Sequence, residues 1–537
     1  MSKIPAPPPD EEEELAHYDD AIIGRAIRVS LWVLAFLAVL VGVAVLILKR
    51  PPATAPRQLT RLDAPVAPDR PRAEIPAAQF TDITKAAGID FVHHNGAYGE
   101  KLLPETMGGG VAFFDFDNDG NQDLLFINST DWPWHPAPSA PPATMALYHN
   151  DGHGHFTDVT PGSGLDVSFY GMGVAIGDYD NDGLDDLFIT AVGGNHLFHN
   201  DGNGRFTDAS AASGLQVTNP ATGVPAAKTL GVAPVDLNGD GWMDLVVAND
   251  TVPNLVFLNQ RDGTFKEIGA QSGVAFDSYG NPRGAMGIDT ADYANNGKLG
   301  IAIGNFANEM TALYVQQDAP TNFSDEAITE GVGPDSRRFL KFGLFFFDYD
   351  LDGRLDLLTA NGHLEQEISK IQQSQTYAQP AQLFWNAGEK SGGCFVTVPP
   401  EKSGPDLFRP VVGRGAAFAD IDGDGDLDVV LTQVGGPPLL LRNDQHLHHH
   451  WIRLKLIGTK SNRDAIGAWI RVGVAGRTLS RQVMPTRSYL SQSELPVTIG
   501  LGEAGQVDRL EVDWPSGRKQ TLASPAIDQT TVLTEPQ

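Results

Sequence analysis

A single cysteine, Cys394, stands in the 537-residue chain. No intramolecular disulfide can form, and a cysteine-based zinc or iron–sulfur site has no ligands. Positive charge is also scarce: 38 Lys and Arg face 67 Asp and Glu, a formal net charge of −29. Nucleic-acid binding needs clustered Lys and Arg to neutralise phosphates, so that function is excluded. No G-x-S-x-G, no H-E-x-x-H and no nucleophile–base arrangement is found, which leaves enzymatic chemistry without a motif. Glycine (58) and proline (37) are plentiful and 41% of residues are hydrophobic, a mix that favours a turn-rich β protein with a substantial core.

Long apolar runs are confined to the N-terminus. Residues 29–48 read VSLWVLAFLAVLVGVAVLIL, 20 residues without charge, and a helix of that length spans about 30 Å of hydrocarbon. The run has no polar face, unlike a core helix. It ends in ILKRPP rather than at a small-residue cleavage site, so it reads as an uncleaved transmembrane anchor. Residues 1–28 are Pro-rich and acidic and are expected to be disordered. Residues 49–78, rich in Pro, Ala and Arg, read as an extended stalk.

The remainder is repetitive. Six segments align: GVAFFDFDNDGNQDLLFI from Gly110, GVAIGDYDNDGLDDLFIT from Gly173, GVAPVDLNGDGWMDLVVA from Gly231, GIDTADYANNGKLGIAIG from Gly287, GLFFFDYDLDGRLDLLTA from Gly343 and GAAFADIDGDGDLDVVLT from Gly415. In each, a Gly stands five residues before the first loop Asp, at 115, 178, 236, 292, 348 and 420. A second element lies between copies, as in LYHNDGHGHFTDVTPGSGL from Leu147 and LFHNDGNGRFTDASAASGL from Leu197. Strand, Asn-Asp-Gly turn and strand make a hairpin. Each period thus supplies about four short strands, the content of one propeller blade.

The predicted fold is therefore all-β: a β-propeller over residues 79–445 with six recognisable blades, followed by a small β-sandwich-like domain over 446–537. A seventh blade without an acidic loop has room only in residues 361–414. FTDITKAAGI from Phe80 matches the end of a repeat, so the chain is expected to lend its first strand to the last blade.

The acidic loops place oxygen side chains at positions 1, 3, 5 and 9 with Gly at 6. Calcium takes six to eight hard oxygen ligands from a curled backbone, and Gly permits the turn. The predicted ligands are Asp115, Asp117, Asp119 and Asp123; Asp178, Asp180, Asp182 and Asp186; Asp236, Asn238, Asp240 and Asp244; Asp348, Asp350, Asp352 and Asp356; and Asp420, Asp422, Asp424 and Asp428. Position 7 offers its backbone carbonyl, so its side chain varies freely: Asn121, Leu184, Trp242, Arg354 and Asp426. About five calcium ions are expected. The fourth copy has Ala294 at position 3, Gly300 at position 9 and Lys298 at position 7, and the loop at Asp292 is expected to be weak or empty. These are not EF-hands: position 12 is Phe126, Ile189, Val247, Thr359 and Leu431 rather than Glu.

The loop-and-strand repeat resembles the FG-GAP/VCBS repeats of integrin α-subunit propellers and of bacterial surface proteins. HHWIRLKLIGTKSNRDAIGAWIRV from His449, RSYLSQSELPVTIGLG from Arg487 and VDRLEVDWPSGRKQ from Val507 resemble the ASPIC/UnbV domain. That pairing is similar to the cartilage acidic protein family, and covers residues 80–535. The resemblance implies a calcium-stabilised extracellular binding or adhesion protein without established catalysis. The EGF-like module of animal members is absent, as one cysteine requires.

Orientation pulls two ways. Arg25 and Arg28 precede the apolar run, and Lys49, Arg50, Arg57 and Arg61 follow it, which by itself would keep the following chain cytoplasmic. Large domains cross largely regardless of charge, and weak calcium sites need the millimolar calcium found outside. The expectation is a single-pass membrane protein, held by residues 29–48, with its main body extracytoplasmic, periplasmic or at the cell surface. Its partner would be a protein or a glycan, on the propeller face or the C-terminal domain. The alternatives are a lectin-like propeller, which would need aromatic pockets repeated between blades, and a polysaccharide-acting enzyme with polar residues converging on the central channel. Lesser candidates are the exposed insertion DWPWHP from Asp131 as a partner contact, the polar run from Lys460 to Asp464 with Arg487 and Tyr489 as a ligand surface, and the cluster His446, His448, His449 and His450 as a metal site.

Overall fold

The structure is a computed structural model that describes residues 20–48, 74–136, 141–180, 182–213, 229–262, 264–388 and 394–537. The chain divides into two compact units, Met1–Arg61 and Leu62–Gln537. In the first, an α-helix runs over Asp20–Leu48, and its Gly24–Val45 portion is long and apolar enough to cross a membrane. The expected disorder of residues 1–28 is corrected for residues 20–28, which are helical; Ala21-Ile-Ile and Ala26-Ile-Arg carry no breaker beyond Gly24, so the helix extends ahead of the apolar run. Residues 1–19 and 49–73, most of the expected tail and stalk, lie outside the described residues.

In the second unit, each of the six sequence periods forms one four-stranded antiparallel sheet among the described residues. Their first strands are Val111–Phe114, Gly171–Gly177, Thr229–Val235, Ala285–Ala291, Lys341–Phe347 and Gly413–Ala419, numbered here as blades one to six. The sixth sheet is completed by Ala78–Asp82, paired antiparallel with Leu439–Gln445, as the opening repeat fragment predicts. No seventh blade appears among the described residues. Residues 361–414 instead give the outer strands of blade five, Gln382–Asn386 and Phe395–Thr397, with one-turn helices at Ile368–Ile371 and Pro400–Ser403.

The apolar runs around each loop bury both faces of a sheet against its neighbours. Phe345, Phe347, Phe418 and Leu441 fill the joint between blades five and six. Leu344, Phe346, Ala302 and Leu313 fill the joint between four and five. Comparable buried clusters join three to four, six to one and one to two.

The recurrent Gly sits where successive inner strands converge on the axis. A Cβ at Gly287 would lie 2.1 Å from Phe342 O, one at Gly415 2.4 Å from Gly109 O, and one at Gly343 2.8 Å from Arg414 O. Any side chain there would hold neighbouring blades apart.

The joint between blades two and three is different. Among the described residues no cluster of buried apolar side chains spans it. Elsewhere an Asn or Gln at the end of a third strand donates its amide to the position-2 carbonyl of the neighbouring loop: Asn150 to Ile421, Asn200 to Phe116, Gln316 to Leu237, Asn386 to Tyr293 and Asn443 to Tyr349. The corresponding amide in blade three, Asn259, donates to Met243 O of its own blade. Tyr179, whose carbonyl would complete the series, is 52% exposed, whereas Phe116 and Tyr349 at the same position are 4% and 0% exposed.

Residues after 446 form two sheets. One orders Val497–Gly502, His450–Ile457 and Thr530–Thr534; the other orders Arg477–Gln482, Trp469–Val474, Arg509–Asp513 and Lys519–Ala523. Ile452, Leu454, Ile470, Val472, Leu510 and Val512 pack between them.

The loop joining Arg477–Gln482 to Val497–Gly502 enters the propeller axis and touches every blade. Thr486 Oγ1 donates to Val232 O (3.3 Å) in blade three. Ser488 exchanges backbone bonds with Ile288 in blade four, and its Oγ accepts from Leu344 N in blade five. Leu490 O accepts from Val174 N in blade two, and Gln492 pairs with Val111 and Phe113 in blade one. Ser493 Oγ accepts from Phe418 N in blade six. Tyr489 is fully buried against the Phe342 ring, with centroids 4.9 Å apart.

Replacing Gly287 by Ala forces a backbone contact that neither blade can relieve, and we expect a loss of about 3 kcal/mol in urea unfolding of the full chain. Gly505, where a Cβ would have no atom within 4 Å, is the control, and Gly505→Ala should leave the midpoint unmoved. Equal midpoints for both variants would refute the role given to the axial glycines.

Candidate metal centres

Each acidic loop links the first and second strands of its blade and is curled by the same backbone bonds. Gly at position 6 donates to the position-1 carboxylate: Gly120 to Asp115 (3.1 Å), Gly183 to Asp178 (2.8 Å), Gly241 to Asp236 (2.8 Å), Gly353 to Asp348 (2.9 Å) and Gly425 to Asp420 (3.2 Å). These glycines have φ between 84° and 98°, the left-handed region that favours glycine. Position 7 donates its N–H to the position-5 carboxylate, as Asn121, Leu184, Trp242, Arg354 and Asp426 do to Asp119, Asp182, Asp240, Asp352 and Asp424.

Position 9 has a further task that its spacing does not reveal. Both oxygens of Asp123, Asp186, Asp244, Asp356 and Asp428 accept backbone N–H groups, one from position 2 of the loop and one from the Asn at or near the end of the third strand. These carboxylates clasp loop to sheet, and Asp123, Asp186 and Asp356 also face the loop's centre.

The side chains converge. Ligand oxygens of Asp115, Asp117 and Asp123 lie within 4.8 Å of one another, as do those of Asp178, Asp180 and Asp186, and of Asp348, Asp350 and Asp356. Asp236, Asn238 and Asp240 in loop three and Asp420, Asp422 and Asp424 in loop six sit in the same hydrogen-bonded frame, Asn238 donating to Asp240 (3.0 Å). Asp426 turns its carboxylate to Gln445 Nε2 (2.6 Å).

Such crowding is unfavourable without a cation. Burial first, and neighbouring carboxylates after it, push Asp123 up to about 8, Asp426 to about 8 and Asp424 to about 7. Asp350 rises to about 7 and Asp244 to about 6 for the same reasons, and Asp348, Asp356 and Asp428 are raised well above the carboxylate range. Asp115 Oδ1 and Asp348 Oδ1 are buried and have no hydrogen-bond partner. Hard oxygen donors with an unused buried lone pair fit a calcium ion.

The fourth loop keeps the frame, with Gly297 N donating to Asp292 (3.0 Å), but not the ligands. The Tyr293 ring lies where a side chain at Gly300 would stand, 2.5 Å from that Cβ position. Asp292 and the Asn296 amide are the oxygen side chains that remain at its odd positions.

Basic side chains also reach these loops, among them Arg354 at the freely varying position 7. Arg354 pairs with Asp352, and Arg261 with Asp240 (2.8 Å). From the C-terminal sandwich, Lys455 Nζ lies 2.9 Å from Asp115 Oδ2, and Arg453 pairs with Glu494 and approaches Asp420 Oδ2 (3.6 Å). Arg481 Nη2 donates to Gly353 O (3.1 Å). The sandwich therefore sits at the loop end of the propeller.

The lesser candidates separate. Glu535 accepts from the backbone of Thr459, Lys460 and Ser461, which makes that polar run a structural network. Arg487 pairs with Asp289 (3.1 Å) and Tyr489 is buried in the axis. His449 bonds Asp350 O and His450 bonds Asp528, so the His cluster does not converge. Trp132 stacks on Tyr170 and donates to Glu105, while Trp134 stays exposed.

A model of the FG-GAP-like repeat matches residues 115–189, 178–247, 236–303 and 348–431, just over half the chain, and a model of the ASPIC and UnbV domain matches 458–537. The chain belongs to the family that joins these repeats to that domain. It is homologous to cartilage acidic protein 1: the Xenopus tropicalis protein is 27% identical over 294 residues, 54% of this chain and 42% of the relative. The Mus musculus protein is 26% identical over 303 residues, 55% and 43% of the two chains. The match thus covers under half the length of these curated relatives. A solved lectin from Agrocybe aegerita that recognises non-reducing terminal N-acetylglucosamine is 15% identical, covering 63% of this chain and 80% of its own, with a TM-score of 0.32, too distant a likeness to bear on function. Repeats and relatives together support a non-enzymatic repeat module.

The raised carboxyls set a pH dependence. Groups whose folded pKa exceeds the unfolded value favour the protonated fold, so their stabilisation is present below about pH 4 and is lost as pH rises through 6 to 8. A calcium ion held by the ionised carboxylates would oppose that loss. Melting curves of the full chain with calcium and with chelator should therefore lie far apart at pH 8 and draw together towards pH 5. A gap that is constant over this range would contradict the assignment.

Proposed function

We propose that this protein is a membrane-anchored, extracytoplasmic, calcium-binding propeller that acts as a non-enzymatic binding or adhesion module. The observation that carries the reading is the set of five curled loops, with the buried, unpartnered oxygens of Asp115 and Asp348 turned into two of them. Calcium, when bound, supplies the positive charge that lets these carboxylates stay ionised inside the fold. The chain's own residues do the rest. Position 1 fixes the Gly turn, position 9 ties the loop to the third strand, and the sandwich braces the loop face through Lys455 and Arg453.

Calcium at the loops also favours the outside of the membrane for the main body, with helix Asp20–Leu48 as the anchor. The polysaccharide-enzyme alternative needs a channel, and the axis is filled by Thr486 to Ser493. Of the two surfaces considered for a protein or glycan partner, the propeller face and the C-terminal domain, we favour the propeller end opposite the sandwich. There Trp134, 63% exposed, stacks on Trp132 with centroids 4.9 Å apart. A pocket of about 480 Å³ lined by Asn95, Lys101, Glu105 and Tyr377 lies on the same side of the ring.

Metal counting by mass spectrometry on the full chain, equilibrated in millimolar calcium, tests the reading. Five calcium ions per chain are expected, falling to four in Asp348→Asn/Asp350→Asn and staying at five in Asp292→Asn. A chain that retains no calcium would sink it.

A further inference from the structure

Blades one and two carry a group near their loops that the other blades lack. The residue before the bridging Asn or Gln is His149 in blade one and His199 in blade two; in blades three to six it is Leu258, Val315, Trp385 and Arg442. Both imidazoles face their loop. His149 Nδ1 lies 3.6 Å from Asp117 Oδ2 and 3.2 Å from Asp123 Oδ1, and Nε2 lies 4.0 Å from Asp119 Oδ2. His199 Nδ1 lies 3.5 Å from Asp180 Oδ2 and 3.1 Å from Asp186 Oδ1.

Asp117, Asp119 and His149 offer ligand atoms within 4.8 Å of one another, and Asp180, Asp182 and His199 repeat the arrangement. His199 Nδ1 hydrogen-bonds Asp186 Oδ1 (3.1 Å), but the Nδ1 separations of 3.6 Å to Asp117 and 3.5 Å to Asp180 are long for a hydrogen bond. They suit atoms sharing one ion with bonds of about 2.0–2.2 Å.

A ring contact recurs in both blades, and buried atoms without a partner mark blade one. Each imidazole is held edge-on by the aromatic ring at loop position 2: Phe116 against His149 at 6.0 Å and 82°, and Tyr179 against His199 at 6.1 Å and 77°. That aromatic–His pair is absent from the other blades, which fixes the ring plane where two copies need it. In blade one, Asp115 is only 6% exposed, and its Oδ1 has no hydrogen-bond partner. His149 Nδ1 is likewise out of solvent without one.

Calcium selects oxygen, whereas imidazole with carboxylate suits zinc and related divalent ions. We propose that the loops of blades one and two are mixed imidazole–carboxylate centres that take a divalent transition ion of the zinc kind in place of calcium, while the loops of blades three, five and six remain calcium sites. The inference rests on the reading of these loops as metal-binding. Asp117 and Asp180 belong to both ligand sets, so the two ions exclude one another at each loop.

The test uses the calcium-loaded full chain, equilibrated with micromolar zinc in excess calcium and counted by mass spectrometry. Wild type should exchange two calcium ions for two zinc ions and keep three calcium ions. His149→Gln and His199→Gln should each take one zinc, and the double variant none, with all five calcium ions retained. Two zinc ions on the double variant, or none on wild type, would overturn the proposal. Calcium counts without zinc separate this from a failure of the calcium reading, which would remove calcium from every sample. If the double variant does not fold, zinc X-ray absorption on wild type decides: one imidazole nitrogen per zinc is expected, and an all-oxygen shell contradicts it.

Discussion

Six inner strands converge on one axis, where their backbone groups have no further strand to pair with. A buried N–H without a partner is costly, and a narrow channel cannot be filled symmetrically by six identical side chains. The loop from Thr486 to Glu494 resolves this by offering different atoms to each blade: backbone at Ser488 and Gln492, hydroxyls at Ser488 and Ser493, and the Gln492 side chain to Ile176 N. Much follows from that insertion. The recurrent Gly must be bare because a Cβ at Gly110 would meet Leu490 O at 2.4 Å and one at Gly173 would meet the Leu490 side chain at 2.7 Å. The sandwich that carries the loop is held at the acidic end of the ring. Among the described residues, the ring is joined by buried apolar clusters at five joints and by the inserted loop at the sixth, between blades two and three.

The acidic loops and the sandwich form one electrostatic system. Lys455 and Arg453 approach position-1 carboxylates of loops one and six. Burial raises Glu494 to about 7, with Arg453 opposing the rise. These cations offset part of the repulsion, yet Asp115 keeps an oxygen free. The domain interface therefore leaves a buried oxygen that a cation could take.

The blade count, the borrowed first strand and the curl of the loops were legible because they rest on local chemistry: alternating apolar runs, an Asn-Asp-Gly turn, and a Gly at position 6. The filled axis was not legible. RSYLSQSE reads as a polar loop, and nothing local says that Ser488 and Gln492 will meet inner strands more than a hundred residues away. Position 9 was read as a ligand alone, since its two backbone bonds depend on an Asn in the third strand. The His of LYHN and LFHN sits within a hairpin pattern; its approach to Asp117 and Asp180 appears only when the third strand is laid beside the second. The helix starting at Asp20 was missed because composition, not helix propensity, dominated the reading of the tail.

The central claim is that calcium loops and the inserted loop make propeller and sandwich a single cooperative unit. Differential scanning calorimetry of the full chain, with calcium and with chelator, tests it most directly. The account predicts one transition for propeller and sandwich together in both conditions, shifted to lower temperature by the chelator. Two transitions, with that of the sandwich indifferent to chelator, would contradict it.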